Sequence, residues 1–187
     1  MLVESVGSSL ILGKLRGGEL KNILDIQISR VEFIVGAALI QSAAAWVVAK
    51  EIEPLWQMIN ANGLWVQLTV YILLFWGLAA NIGQRGFSLI GVGVLLNFIV
   101  IMANGGRMPV DISGIQHMIS QESIDILQNA KSLTHIAANE TTRIWILGDI
   151  IHLRRPYPMP KSLSIGDVFM MIGIFILIQG KILNKET

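Results

Sequence analysis

Cysteine is absent from the 187 residues, which removes disulfides, thiolate metal ligands and cysteine nucleophiles at once. Charge is scarce as well: 14% of residues are charged, against roughly 25% in soluble domains. The 14 basic and 13 acidic residues leave a net charge of +1, too little to build a field for nucleic-acid phosphates, so no nucleic-acid partner is expected. No G-x-x-x-x-G-K-[ST], no G-x-S-x-G and no strand–helix G-x-G-x-x-G is present, so nucleotide use and serine-hydrolase chemistry have no motif. The histidines, His117, His135 and His152, lack H-E-x-x-H or any other ligand spacing, and neither a metal nor a cofactor is expected. What the chain has in quantity is apolar residues, 53% of the total, with a mean hydropathy of +0.62. An ordinary soluble globule and a disordered chain are both excluded.

The apolar residues fall into runs. A membrane helix needs about 20 of them, at 1.5 Å of rise each. Phe33–Ala49 is free of charge between Glu32 and Lys50, and Gly86–Gly106 is free of charge after Arg85. Leu64–Ala80 follows the turn-like Asn60-Ala61-Asn62-Gly63. Ser162–Gly180 holds one charge, Asp167. A shorter run at 2–13 has no basic stretch before it, so a cleaved signal peptide fits badly; it reads as a short tilted first span, given the basic cluster after it, or as an interfacial helix. The expected fold is thus an all-α integral membrane protein forming one domain over 1–187. Its spans lie near 2–13, 33–49, 64–80, 86–103 and 164–180, with an outer cap over 104–163. Lys14, Arg16, Lys21 and Arg30 follow the first span, and Lys181 and Lys185 follow the last, which places the N-terminus outside and the C-terminus inside a cytoplasmic membrane. Arg107, Lys131, Arg143, Arg154, Arg155 and Lys161 then lie outside, against the rule, in a connection long enough to obey it poorly.

Within the cap, Gly105-Gly106 is suited to close the preceding helix in the left-handed conformation, and Pro109 blocks its continuation. Residues 120–138 carry helical spacing of Ile126, Leu127, Ala130, Leu133 and Ala137. Residues 139–153 read as a second, more apolar helix with Asn139 as its N-cap. Pro156, Pro158 and Pro160 impose an extended strap.

Two acids stand out, each behind a glycine: Gly148-Asp149 and Gly166-Asp167. Asp167 is either a functional intramembrane carboxylate or an N-terminal helix acid capped by Ser162 or Ser164. Brought together by the strap, Asp149 and Asp167 could share a proton and act as acid and base on a water. Asn104, Arg107, Arg143 and His152 are candidate lipid- or substrate-binding residues, Arg107 because a guanidinium grips phosphate or carboxylate with two donors. For Arg107 the competing reading is interfacial snorkelling. Asn97 and Gln67, inside apolar helices, are read as hydrogen-bonding to neighbouring helices.

The ending GDIIHLRRPYPMPKSLSIGDVFMMIGIFILIQ (148–179) resembles the end of signal peptidase II, the lipoprotein signal peptidase. That resemblance implies an intramembrane aspartyl peptidase using Asp149 and Asp167. Both motif asparagines are missing, with Ile146 at the first position and Ser164 beginning the second motif. As a whole, through KLRGGELKNI (14–23), NGGRMPVD (104–111) and GDIIHL…SIGDV (148–168), the chain is similar to an uncharacterised family of small multi-pass bacterial membrane proteins. This implies the fold and no mechanism. Three functions stay open: a binding or accessory protein whose cap meets the bilayer, a membrane-anchored peptide or a protein; the peptidase; and a small transporter, against which the lack of an inverted repeat counts.

Overall fold

The runs without charge become helices because nothing in them competes for the backbone. In the computed structural model, which describes residues 2–158 and 160–183, they are α1 (Leu2–Leu15), α2 (Val31–Ala49), α4 (Gly63–Ala79), α5 (Phe87–Ala103) and α7 (Ile165–Ile182). Lys185 lies outside the described residues. A short helix, α3 (Leu55–Ala61), precedes α4 and is bent from it by 74° at Asn62, a helix that the composition does not announce.

Helices α2 and α7 are long and apolar enough to cross a membrane, and α3 with α4 makes a third span if the bent pair is counted as one. Helix α5 is apolar but 17 residues long. Helix α1 has 14 residues, about 21 Å at 1.5 Å each, short of a hydrocarbon core of about 30 Å. The outward faces are apolar: Leu39, Trp46, Trp65, Ile72, Trp76, Leu95 and Ile172 all point away from the protein. So many large apolar side chains left exposed on apolar helices suit lipid better than water.

Helix α7 organises the bundle, packing antiparallel on α5 and parallel on α1. Gly86 and Gly93 of α5 meet Gly173 and Gly166 of α7 with backbones nearly touching; a Cβ on Gly173 would lie 2.6 Å from the Gly86 carbonyl. Small residues allow that approach, and dispersion between the closely set backbones holds it in lipid. Along the other seam Gln179 Nε2 donates to the Ser9 carbonyl at 2.6 Å, and Ser9 Oγ donates to the Phe175 carbonyl at 3.1 Å. At the far end from the cap, Asn81 accepts from Ser29 N–H and donates to the Ser29 and Gly77 carbonyls, fixing the turn after α4.

The cap departs from the helical expectation. The helix expected over 120–138 covers only Gln121–Gln128, as α6. Ser120 caps its start; Ala130 adopts φ +52°, and the chain turns and becomes extended at His135–Ala137 (β2). The helix expected over 139–153 does not form. Asn139 instead accepts the N–H and hydroxyl of Thr141 in a turn, Ile144 sits at φ +51°, one 3-10 turn spans Trp145–Leu147, and Ile151–Leu153 is a strand (β3). Strand pairing then takes up backbone hydrogen bonds that a helix would have made internally. Met108–Val110 (β1), buried throughout, pairs in parallel with β2 and also bridges Asp149, while β3 pairs antiparallel with Lys161–Leu163 (β4). Gly105 and Gly106 do take positive φ, +68° and +87°, and end α5 as expected.

Candidate functional site

Strand β1 positions the chemistry of the cap. On one side its residue Met108 stands opposite His135 in β2. On the other, Asp149 N–H donates to the Pro109 carbonyl at 2.9 Å, and Asp111 N–H donates to the Asp149 carbonyl at 3.2 Å. His135, Asp149 and Asp111 are therefore gathered by one three-residue strand, although they lie far apart in sequence.

Asp149 Oδ2 lies 3.7 Å from His135 Nε2. Among the described residues no hydrogen bond reaches either carboxyl oxygen of Asp149, a residue 8% exposed. Burial pushes its pKa up to about 7, and the charge of Asp167 adds to the shift. His135 opens on one side to a cavity but is otherwise enclosed, and this desolvation holds its pKa below the ordinary value. The pair is thus a weakly acidic carboxyl beside an imidazole that resists protonation. Both line a cavity of about 320 Å³ between α6 and the strands. Its walls are apolar (Val110, Ile115, Ile119, Ile126, Leu127), with Ser123, Ser132 and Ser162 as further polar groups.

Asp167 has the helix-terminal role. Ser164 is the N-cap of α7, and the two residues form a capping box, Ser164 N–H donating to Asp167 Oδ2 at 3.1 Å and Asp167 N–H to Ser164 Oγ at 3.0 Å. Asn97 of α5 completes the arrangement, as the reading of that residue as a helix–helix hydrogen bonder anticipates. Asp167 is coupled to Asp149 through space, but among the described residues no hydrogen bond joins the two carboxyls.

The remaining sequence candidates are placed as follows. Asn104 donates to the Val100 and Arg143 carbonyls and accepts from Arg143 N–H at 2.9 Å, so it pins the Arg143 backbone to the end of α5. Arg107 is half-buried and donates to Asn60 Oδ1 at 2.8 Å and to the Ser132 carbonyl at 2.9 Å, tying α3 to the turn before β2. His152 of β3 faces Ser162 of β4 across the antiparallel pair, with Nδ1 3.0 Å from Ser162 Oγ and Nε2 3.2 Å from Asp111 Oδ2. His135, Ser162 and Asp111 escape sequence reasoning because each is unremarkable locally, and the contacts His135–Asp149 and Asp111–His152–Ser162 arise only in the folded cap.

A protein of Thermotoga maritima, described only as an uncharacterized protein, is 28% identical over 115 residues, which cover 60% of this chain. The chain spans 63% of the length of that relative. No solved structure matches the chain. Residues 25–179, nearly the whole bundle and all of the cap, match a family of unknown function, and the chain belongs to that family, DUF5317.

Proposed function

We propose that this chain is a five-span protein of the cytoplasmic membrane, N-terminus outside and C-terminus inside, whose outer cap binds a small amphipathic ligand carrying an ammonium group. The single observation that carries the reading is Asp149: a nine-tenths buried carboxyl that lines an apolar cavity and has no hydrogen-bond donor within the described protein. Its carboxyl oxygens open onto the cavity, where a ligand's donor can reach them, and an ammonium also stabilises the ionised carboxylate. The aliphatic wall selects the rest of the ligand, and 320 Å³ lies at the lower end of small-molecule sites.

The peptidase reading requires Asp149 and Asp167 to share a proton. Both oxygens of Asp167 are engaged by Ser164 and Asn97, an arrangement that favours binding over water activation. The test is calorimetric titration of the detergent-purified protein with hexylamine, hexanol and hexanoate. Saturable binding of hexylamine alone, lost in Asp149→Asn, is expected. Equal heats for wild type and Asp149→Asn would overturn the reading.

A further inference from the structure

We propose that Ser162 is an activated nucleophile, with His152 as its general base and Asp111 as the positioning residue, and that the cap cavity accepts a carboxylic ester with an apolar body. The inference rests on the cavity being a ligand site and adds a reaction to it.

The geometry fixes the direction of proton flow. Asp111 Oδ1 accepts both the hydroxyl of Ser113, at 2.6 Å, and its N–H, at 3.0 Å. The Ser113 hydroxyl, more than His152, holds the Asp111 carboxyl below its ordinary pKa, so at neutral pH the group is ionised and can only accept. The proton in the 3.2 Å contact between Asp111 Oδ2 and His152 must therefore sit on Nε2. In neutral imidazole that leaves a lone pair on Nδ1, which faces Ser162 Oγ at 3.0 Å. The hydroxyl donates, and His152 is set to take its proton. The two ring nitrogens serve in the opposite order from the serine-protease triad, yet the sequence carboxylate, imidazole, hydroxyl is the same. The ring is held tightly: its side chain is 9% exposed, and it lies so close to Gly114 that any Cβ there would overlap it. Ser162, in contrast, lines the cavity beside Ile126 and Leu127.

The reaction balances without any further reagent than water. Ser162 Oγ bonds to the ester carbonyl carbon as its proton passes to His152 Nδ1. The carbon–alkoxy bond breaks, and the leaving alkoxide takes that proton, giving an alcohol and an acyl-serine. Water repeats the exchange, its proton passing through Nδ1 to Ser162 Oγ, and the carboxylic acid leaves. Asp111 holds the tautomer and stabilises the imidazolium between the two transfers.

The test uses an alkyl fluorophosphonate, which forms an Oγ–P bond with expulsion of fluoride, on the full-length protein in detergent. Expected is stoichiometric labelling mapped to Ser162 by peptide mass spectrometry. Labelling is abolished in Ser162→Ala and slowed about 100-fold or more in His152→Ala. It is unchanged in Ser88→Ala, an exposed serine at the end of α5 away from the cap. Asp111→Asn slows labelling and shifts its pH profile, which a merely structural role would not do. Thermal unfolding of each variant establishes that it is folded. Absence of labelling in folded wild type, or equal rates in wild type and folded His152→Ala, would overturn the proposal. Hexylamine binding measured on Ser162→Ala separates the two readings, since it persists if the cavity binds but does no chemistry.

Discussion

Asn97 and Asp167 are joined across the α5–α7 crossing by a 3.0 Å hydrogen bond from Asn97 Nδ2 to Asp167 Oδ1, and that bond closes a ring. Ser164 N–H donates to Asp167 Oδ2, Asp167 N–H donates to Ser164 Oγ, and the Ser164 hydroxyl donates to Asn97 Oδ1 at 2.8 Å. The ring fixes the orientation of the Asn97 amide. It also locks the start of α7 to α5 next to Gly166, where a Cβ would overlap Asn97 Oδ1.

Breaking the ring is therefore expected to destabilise the bundle. In Asp167→Asn one of the two incoming donors meets an NH2 group instead of an acceptor, a loss of about 1–3 kcal/mol. Ser164→Ala removes the cap, about 1 kcal/mol, and strands Asn97 Oδ1. Because the three side chains act as a unit, the Asn97→Ala/Asp167→Asn double variant should lose less than the sum of the singles. Thermal unfolding in detergent measures these and the Asn97→Ala single variant, four in all, and strict additivity would show that the ring is not coupled.

How much of this was legible in the sequence follows from the range of each interaction. The long helices were, because an uncharged apolar run of about 20 residues has one low-energy conformation in lipid. For Asp167 the sequence offered a helix-terminal acid as one of two readings, with Ser162 or Ser164 as its cap, and only the fold selects Ser164. The outer cap was not legible. Its apolar spacing over 120–138 and 139–153 fits a helix, but the chain there is broken by Ala130 and Ile144 at positive φ and rescued by pairing with β1. No window of sequence contains that partner. The same holds for Asp111, His152 and Ser162, which meet only after two separate strand pairings. Asn104 and Arg107 were read as lipid- or substrate-binding candidates, and their hydrogen-bond partners, Arg143, Asn60 and Ser132, come from elsewhere in the fold.

The Arg107 contacts give a test of its lipid-binding reading. Its Nε and Nη2 are used by the Ser132 carbonyl and Asn60 Oδ1. If that clamp is its main work, Arg107→Ala lowers the unfolding temperature equally in neutral detergent and in nanodiscs of anionic lipid. The expected loss is about 0.5–1.5 kcal/mol for each of the two part-buried hydrogen bonds removed. A loss confined to anionic lipid would instead assign the guanidinium to a phosphate.

The absence of cysteine makes the proposed orientation directly measurable. A single cysteine at Arg154 or Lys131, both in the cap, should react with a membrane-impermeant maleimide in intact cells, after removal of any outer barrier. One at Gln84, in the turn at the opposite end, should react only after lysis. The reverse pattern would invert the protein and place the cap inside. Reaction at both ends in intact cells would refute the spanning arrangement itself. No background labelling arises from the chain.

The Asp149 carboxyl also has a pH signature. Its ordinary value is 3.8 and burial in the fold raises it to about 7, so between those values the folded protein holds a proton that the unfolded chain releases. Stability from this group is then full below about pH 4 and declines as pH rises, levelling above about pH 7. At 1.36 kcal/mol per unit the span corresponds to about 4 kcal/mol. His135 opposes it: its lowered pKa favours the neutral ring, so the folded state loses stability as pH falls below the ordinary histidine range. The Asp167 charge adds to the rise at Asp149 and works against the fall at His135. The comparison that isolates Asp149 is wild type against Asp149→Asn. Their stability difference should swing against the wild type as pH is raised from 4 to 7, with hexylamine reversing the swing by supplying the missing donor. A difference flat across that range would mean that the carboxyl titrates as if solvated, and the cavity would then hold no buried acid for a ligand to meet.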